Sequence, residues 1–285
     1  MLYDAHIAVD WSANASPKTG RDSIWISEGG ARGINPRTRA EAMAWVRGRI
    51  ARAKARGERL HIGFDFAFGL TRGAGRALLG EAGWEAYWRH LAERVEDGPR
   101  NRSNRFEVGA ELNGGAVADG PFWGHPHQHS YEGLKPRRCA TGGEAWPHPF
   151  PARRHCDARQ RGAQEIWKLA YTGSVGSQML LGVAALERLR REVEGVAMWP
   201  FETRFGEDLS APVLVTEIYP SAGMWDYRRL LDGASVADEA QVMAVSGMCA
   251  EADRRGRFRE WLEPADVTPQ EREDAVAEEG WIVGL

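Results

Sequence analysis

The sequence predicts an α/β fold, and three observations lead to it. Two apolar runs alternate with period two and each meets an aspartate, "HIAVD" (6–10) and "HIGFD" (61–65). Stretches with helical spacing separate these runs from later strand-like ones. Alternation of strands with helices in this manner is the pattern of a buried sheet covered by helices.

In chain order, "HIAVD" places His6, Ala8 and Asp10 on one side and Ile7 and Val9 on the other. "DSIWISEGG" (22–30) predicts a second strand closed by a Gly-Gly turn, and "ARGINP" a short third beside Pro36. "TRAEAMAWVRGRIARAKARG" sets Met43, Val46, Ile50 and Ala53 at helical spacing, with a basic outer face and Gly57 as its stop. "RLHIGFDFAFG" (59–69) predicts the next strand, with Ile62, Phe64, Phe66 and Phe68 on one face and Asp65 on the other. Residues 70–165 break this rhythm. They are rich in Gly, Pro, Trp and His, with one helical piece at 81–95, and read as a large insertion within a single domain of residues 1–285. Regular structure returns at "EIWKLAY" (165–171). A helix follows with Met179, Val183, Leu186 and Val193 as its stripe, then strands at 196–202 and 213–220. Another helix starts near Asp238 with Val242, Val245, Cys249 and Ala252 inward. Thr268-Pro269 caps a short acidic, solvated helix at the end.

Composition narrows the function classes. A net charge of −3 excludes a binder that works by global positive charge, though not a local basic patch. No run approaches the roughly 20 apolar residues of a spanning helix, so no membrane partner is expected. Three cysteines, with no signal-peptide pattern, suggest a reducing, cytoplasmic setting rather than a disulfide framework.

Asp10, Asp65 and Glu217 stand at strand ends, and Asp238, or Asp274 with Glu278, comes from later helices. Carboxylates gathered at one edge repel unless a cation neutralises them, and Mg²⁺ or Mn²⁺ prefers oxygen ligands. Such ions serve phosphodiester displacement. Each aspartate alone also suits a turn or a cap.

The order "HIAVDWSA", "HIGFDFAFG", "RRHCDARQRG", "GSVGSQMLLGVAALERLR" and "VLVTEIYPS" resembles an uncharacterised bacterial family of predicted nucleases. The resemblance implies an RNase H-like mixed sheet flanked by helices. It implies Asp10, Asp65 and Glu217 as catalytic metal ligands for Mg²⁺ or Mn²⁺, with Cys156-Asp157, Arg161 and Pro220 matching its remaining short motifs. Two departures are plain: "VDWSA" replaces the glycine-rich turn after the first aspartate, and the closing doubled acid is matched loosely by "EREDAVAEE". The last ligand stays open between Asp238 and Asp274.

Three further segments bear on a ligand. "TGSVGSQ" offers Gly173, Ser174, Gly176, Ser177 and Gln178 at a helix N-terminus, a phosphate site with Ser12 of "DWSANAS" as a second contact, or else a glycine-packed helix cap. Between Lys135 and Arg161 lie seven Lys/Arg and two acids, interleaved with Trp146, His148 and Phe150; Arg153, Arg154, Arg159 and Arg161 are the candidate nucleic-acid contacts. His125, His127 and His129 alternate beside proline, which suits a polar surface better than a metal site. The expectation is a metal-dependent nuclease or phosphodiester hydrolase with a nucleic acid or nucleotide substrate. The alternatives are an actin-like ATP-binding phosphotransferase, sharing the first-strand aspartate and a phosphate turn, and a non-catalytic nucleotide- or partner-binding module.

Overall fold

The structure, a computed structural model, describes residues 1–114, 120–138 and 146–285. Cys139 lies outside them. The described strands are β1 (Ala5–Asp10), β2 (Trp25–Glu28), β3 (Leu60–Phe64), β4 (Val196–Met198) and β5 (Val213–Glu217). They form one mixed sheet in the order β2-β1-β3-β5-β4, with β2 antiparallel to β1 and the other pairings parallel. The short third strand expected at "ARGINP" is reduced to a single bridge, Ile34 to Ile26. "EIWKLAY" likewise makes one bridge, Lys168 to Trp123, and no strand.

The helices are α1 (Arg39–Arg56), α2 (Ala74–Leu79), α3 (Trp84–Arg94), α4 (Arg105–Gly114), α5 (His155–Arg159), α6 (Val175–Glu192), α7 (Ala237–Arg254), α8 (Phe258–Leu262) and α9 (Pro269–Asp274). Local chemistry sets their ends. The Thr38 hydroxyl accepts from Glu41 N–H at the start of α1, and Gly57, at φ 68°, closes it. Thr268 and Glu271 form a capping box ahead of α9, with Pro269 at the first position. Residues 70–165 hold α2 to α5, so the segment has regular structure of its own.

The period-two alternation of the strands sorts the core into two layers. Ile7, Val9, Ile62, Phe64, Val213 and Val215 pack with α1, α3 and α6, joined by Phe66 and Phe68. Ala8 and Leu214 face the opposite layer with Val242, Val245 and Cys249 of α7 and Phe258 of α8. Two expectations about charge change here. Arg39 and Arg49 leave the basic outer face of α1 and are buried. Arg39 gives two bonds to Asp97, at 2.6 and 2.7 Å, and two more to the carbonyls of Ser12 and Asn14, which fixes the loop after β1. The acidic end of the chain is solvated only in part: no residue of α9 is buried, but Glu278 and Glu279 beyond it are. No helix among the described residues is long and apolar enough to cross a membrane.

Candidate functional site

Strand register brings the acids of β1 and β3 together. Val9 pairs with Phe64, so Asp10 and Asp65 follow side by side at the carboxyl ends of adjacent parallel strands. Asp65 N–H donates to the Val9 carbonyl at 2.9 Å. Their carboxyl groups are in hydrogen-bonding contact. α7 begins at this same end, and its first turn adds Asp238.

Electrostatics marks the group. Burial, then the charges of Asp65 and Asp238, push the Asp10 carboxyl well above the usual carboxylate range. Burial and the Glu217 charge raise Asp65 to about 7. Burial also raises Asp238. Two carboxyls this close cannot both ionise cheaply, so the pair shares a proton near neutral pH. A hard cation with oxygen ligands is the other means of relieving the same repulsion. The three acids do not form a tight triad within 4.8 Å, so Asp238 stands back from the Asp10–Asp65 pair. Its Oδ2 accepts from Asp22 N–H at 2.6 Å, tying the loop after β1 to α7.

Glu217 behaves differently from its expected role as a ligand. Phe64 pairs with Glu217, so by alternation Glu217 starts from the face opposite Asp10 and Asp65. There it meets Arg154, whose Nη1 and Nη2 donate to its two oxygens at 2.7 and 2.6 Å. Phe68 N–H adds a third bond at 2.9 Å. The remaining Arg154 donors go to Asp157, at 2.8 and 2.9 Å, and to the Glu279 carbonyl at 2.9 Å, so all five are used. Cys156, Asp157 and Glu217 have metal-ligand spacing, but the guanidinium already provides the cation there. Asp157 is therefore paired with Arg154.

Asp274 also leaves the expected site. It accepts from Gln270 at 3.0 Å and lies 2.9 Å from His155 Nε2. Glu278 takes the backbone N–H groups of Gly73 and Gly75 at 2.7 and 2.6 Å, and Glu279 those of Arg72 and His155 at 2.9 and 2.7 Å. These acids clamp a loop and a helix start.

Part of the basic segment is spent within the protein. Arg154 is 1% exposed and cannot reach a nucleic acid. Arg159 is held by Glu271 and Asp266, the closest contacts being 2.7 and 2.9 Å. Arg153 and Arg161 stay exposed. The acidic C-terminal segment folds against this stretch and pairs with Arg159, whereas Arg154 is neutralised by Glu217 and Asp157.

Beside the carboxylates opens a cavity of about 620 Å³, lined by Ser12, Lys18, Arg105, Gly173, Ser174, Ser177 and Gln178 among others. Of the glycine-rich turn, Gly176 drops out. Its N–H is given to the Lys168 carbonyl at 3.0 Å, and a β-carbon there would sit 2.3 Å from the Ile166 carbonyl oxygen, so this glycine serves close packing. Ser177 is buried and bonds the Leu169 carbonyl. Gln178 donates to the Trp11 carbonyl at 2.6 Å, next to Asp10. It borders this cavity and those containing Asp10 and Asp65.

Sequence reasoning missed Arg105. This half-buried arginine gives hydrogen bonds to the hydroxyls of Ser177 and Ser103, at 3.0 and 2.9 Å, and forms no ion pair among the described residues. Burial and the neighbouring Arg39 lower it to about 10, which leaves it cationic at neutral pH. Its one sequence signal is a position at the first turn of a helix, where basic residues are unfavourable. His125, His127 and His129 do not form a metal-ligand group; His127 lies against Tyr171 and His129 against Tyr131. Comparison with family models, curated proteins and solved structures finds no match for this chain.

Proposed function

We propose that the protein is a Mg²⁺- or Mn²⁺-dependent hydrolase of phosphodiester bonds, on an RNase H-like variant of its mixed sheet. The reading rests on one observation: Asp10 and Asp65 stand together at the carboxyl edge of parallel strands, with Asp238 facing them from α7. In open α/β sheets that edge is where ligands bind. Asp10 and Asp65 would hold the cation, with Asp238 approaching from α7. Such an ion supplies Lewis acidity and lowers the pKa of water. The chain's own groups then divide the remaining work. Arg105 lines the adjoining cavity and gives positive charge to orient a phosphate, while Lys18 beside it is paired with Asp22 at 3.7 Å. Gln178 links that cavity to the carboxylates. Arg154 holds Glu217 rigid beside Asp65, so Glu217 acts as a positioning residue.

The cavity dimensions and the burial of Arg154 favour a nucleotide or a short nucleic-acid end over a long duplex laid across the insertion. Thermal melting with and without Mn²⁺ tests the site. At Mn²⁺ a hundredfold above its Kd, the wild type should melt about 5 °C higher and Asp65→Asn should not respond. Hydrolysis of bis(p-nitrophenyl) phosphate and of labelled oligonucleotides then tests the chemistry. A wild type whose melting ignores Mn²⁺ sinks the reading.

A further inference from the structure

At the opposite end of β1 and β3 lies a second cluster of ligand-type side chains, sealed between the sheet and α7. His6 pairs in register with His61, so both imidazoles project from the same face. They meet Cys249, and the ligand atoms of the three residues all lie within 4.8 Å of one another. His6 is 2% exposed, His61 1% and Cys249 0%.

We propose that His6, His61 and Cys249 form an interior site for a zinc-like transition-metal ion that ties β1 and β3 to α7. The two Nδ1 atoms are 3.1 Å apart. Two nitrogens on one tetrahedral zinc, each at about 2.0 Å, stand roughly 3.3 Å apart. The outer nitrogens already have the partners that metal-bound histidines require: His6 Nε2 is 3.1 Å from Asp253 Oδ2, and His61 Nε2 is 2.8 Å from Thr216 Oγ1. The Nδ1 pair and the thiol are what remain for a ligand. Two imidazoles with a thiolate select a borderline or soft ion and exclude Mg²⁺ or Ca²⁺. The charge also balances, because a divalent ion, a Cys249 thiolate and the Asp253 carboxylate sum to zero in a buried place.

Helix geometry supports the ligand set. Cys249 and Asp253 are four residues apart and share a face of α7, so one turn supplies both a ligand and the carboxylate behind His6. Asp253 is itself fixed by the N–H groups of Leu2 and Tyr3, at 2.7 to 2.9 Å. Without metal the same groups close a hydrogen-bonded chain of two neutral imidazoles that ends on the Asp253 carboxylate. His6 donates through Nε2 to Asp253 and accepts at Nδ1 from His61, which accepts at Nε2 from Thr216. Binding then costs one proton from the thiol and moves the His61 proton from Nδ1 to Nε2.

The test uses the full chain, expressed in medium with added zinc and then desalted. About one zinc per chain is expected in wild type, falling at least tenfold in Cys249→Ser. Co²⁺ loaded into the metal-free protein should give a thiolate-to-cobalt charge-transfer band, which Cys249→Ser abolishes. Asp65→Asn should retain both signals, since it alters the other end of the sheet. Substoichiometric zinc in wild type with no charge-transfer band overturns the proposal, as does an Asp65→Asn variant that loses the metal while Cys249→Ser keeps it.

Discussion

The guanidinium of Arg154 closes on both carboxylate oxygens of Glu217, at 2.6 and 2.7 Å, while its other edge grips Asp157. One cation thus joins β5, α5 and, through the Glu279 carbonyl, the C-terminal segment. Truncating it leaves two buried carboxylates without a counter-charge. Arg154→Ala should lose about 3–5 kcal/mol of stability, read from urea unfolding. Arg154→Lys should lose most of this too, because an ammonium cannot supply the same planar fork. Unfolding of either variant within 1 kcal/mol of wild type would contradict the account.

Asp65→Asn should stabilise the metal-free protein at pH 8 by roughly 2 kcal/mol, a fraction of what its raised pKa stores. The variant keeps the shape and removes the charge that burial opposes. Its Mn²⁺ response should vanish at the same time. A variant that is both less stable and still responsive to Mn²⁺ would be inconsistent with the proposed site.

The pH dependence of wild type has a definite sign. The folded-state pKa values of Asp10 and Asp65 lie above their unfolded ones, so between about pH 4 and 7 the native state binds more protons. This contribution to the stability of metal-free protein is present below pH 4 and, for Asp65, is lost as pH rises through about 7; Asp10 acts in the same direction. Mn²⁺ affinity should run the other way and strengthen from pH 6 to 8, because the cation displaces the shared proton. Melting series at several pH values, with and without Mn²⁺, should show opposite slopes.

Arg105→Gln should leave the fold intact within about 1 kcal/mol, since its recorded bonds are to two hydroxyls. For any phosphodiester that the protein hydrolyses, it should raise KM about tenfold or more with a smaller change in kcat. An unchanged KM would remove Arg105 from the substrate site.

Gly69→Ala tests the docking of the C-terminal segment. A β-carbon there would stand 2.0 Å from the Glu278 carbonyl oxygen and 2.5 Å from the Glu279 carbonyl carbon. Backbone cannot yield as a flexible side chain does, so a loss of about 2–3 kcal/mol is expected by calorimetry.

The sequence alone determined the elements whose signals are local. The stop at Gly57 and the cap at Thr268, the inward positions Val242, Val245, Cys249 and Ala252, and the aspartates at the ends of β1 and β3 were all legible. Alternation and helical spacing are properties of a few adjacent residues. Tertiary structure decided which charges meet. Arg154 and Glu217 are 63 residues apart, Arg159 and Glu271 112, and Asp22 and Asp238 216. A basic stretch read in isolation looks like a surface for nucleic acid; folded, Arg154 turns inward to Glu217 and Asp157, and Arg159 pairs with the acidic C-terminal segment. Register did the rest, because one residue along a strand changes the face. Asp10 and Asp65 therefore share a site beneath Asp238, while Glu217, in register with Phe64, turns to Arg154. Charge pairs only where folding brings it together, and the folding is set by apolar contacts far from the charges themselves.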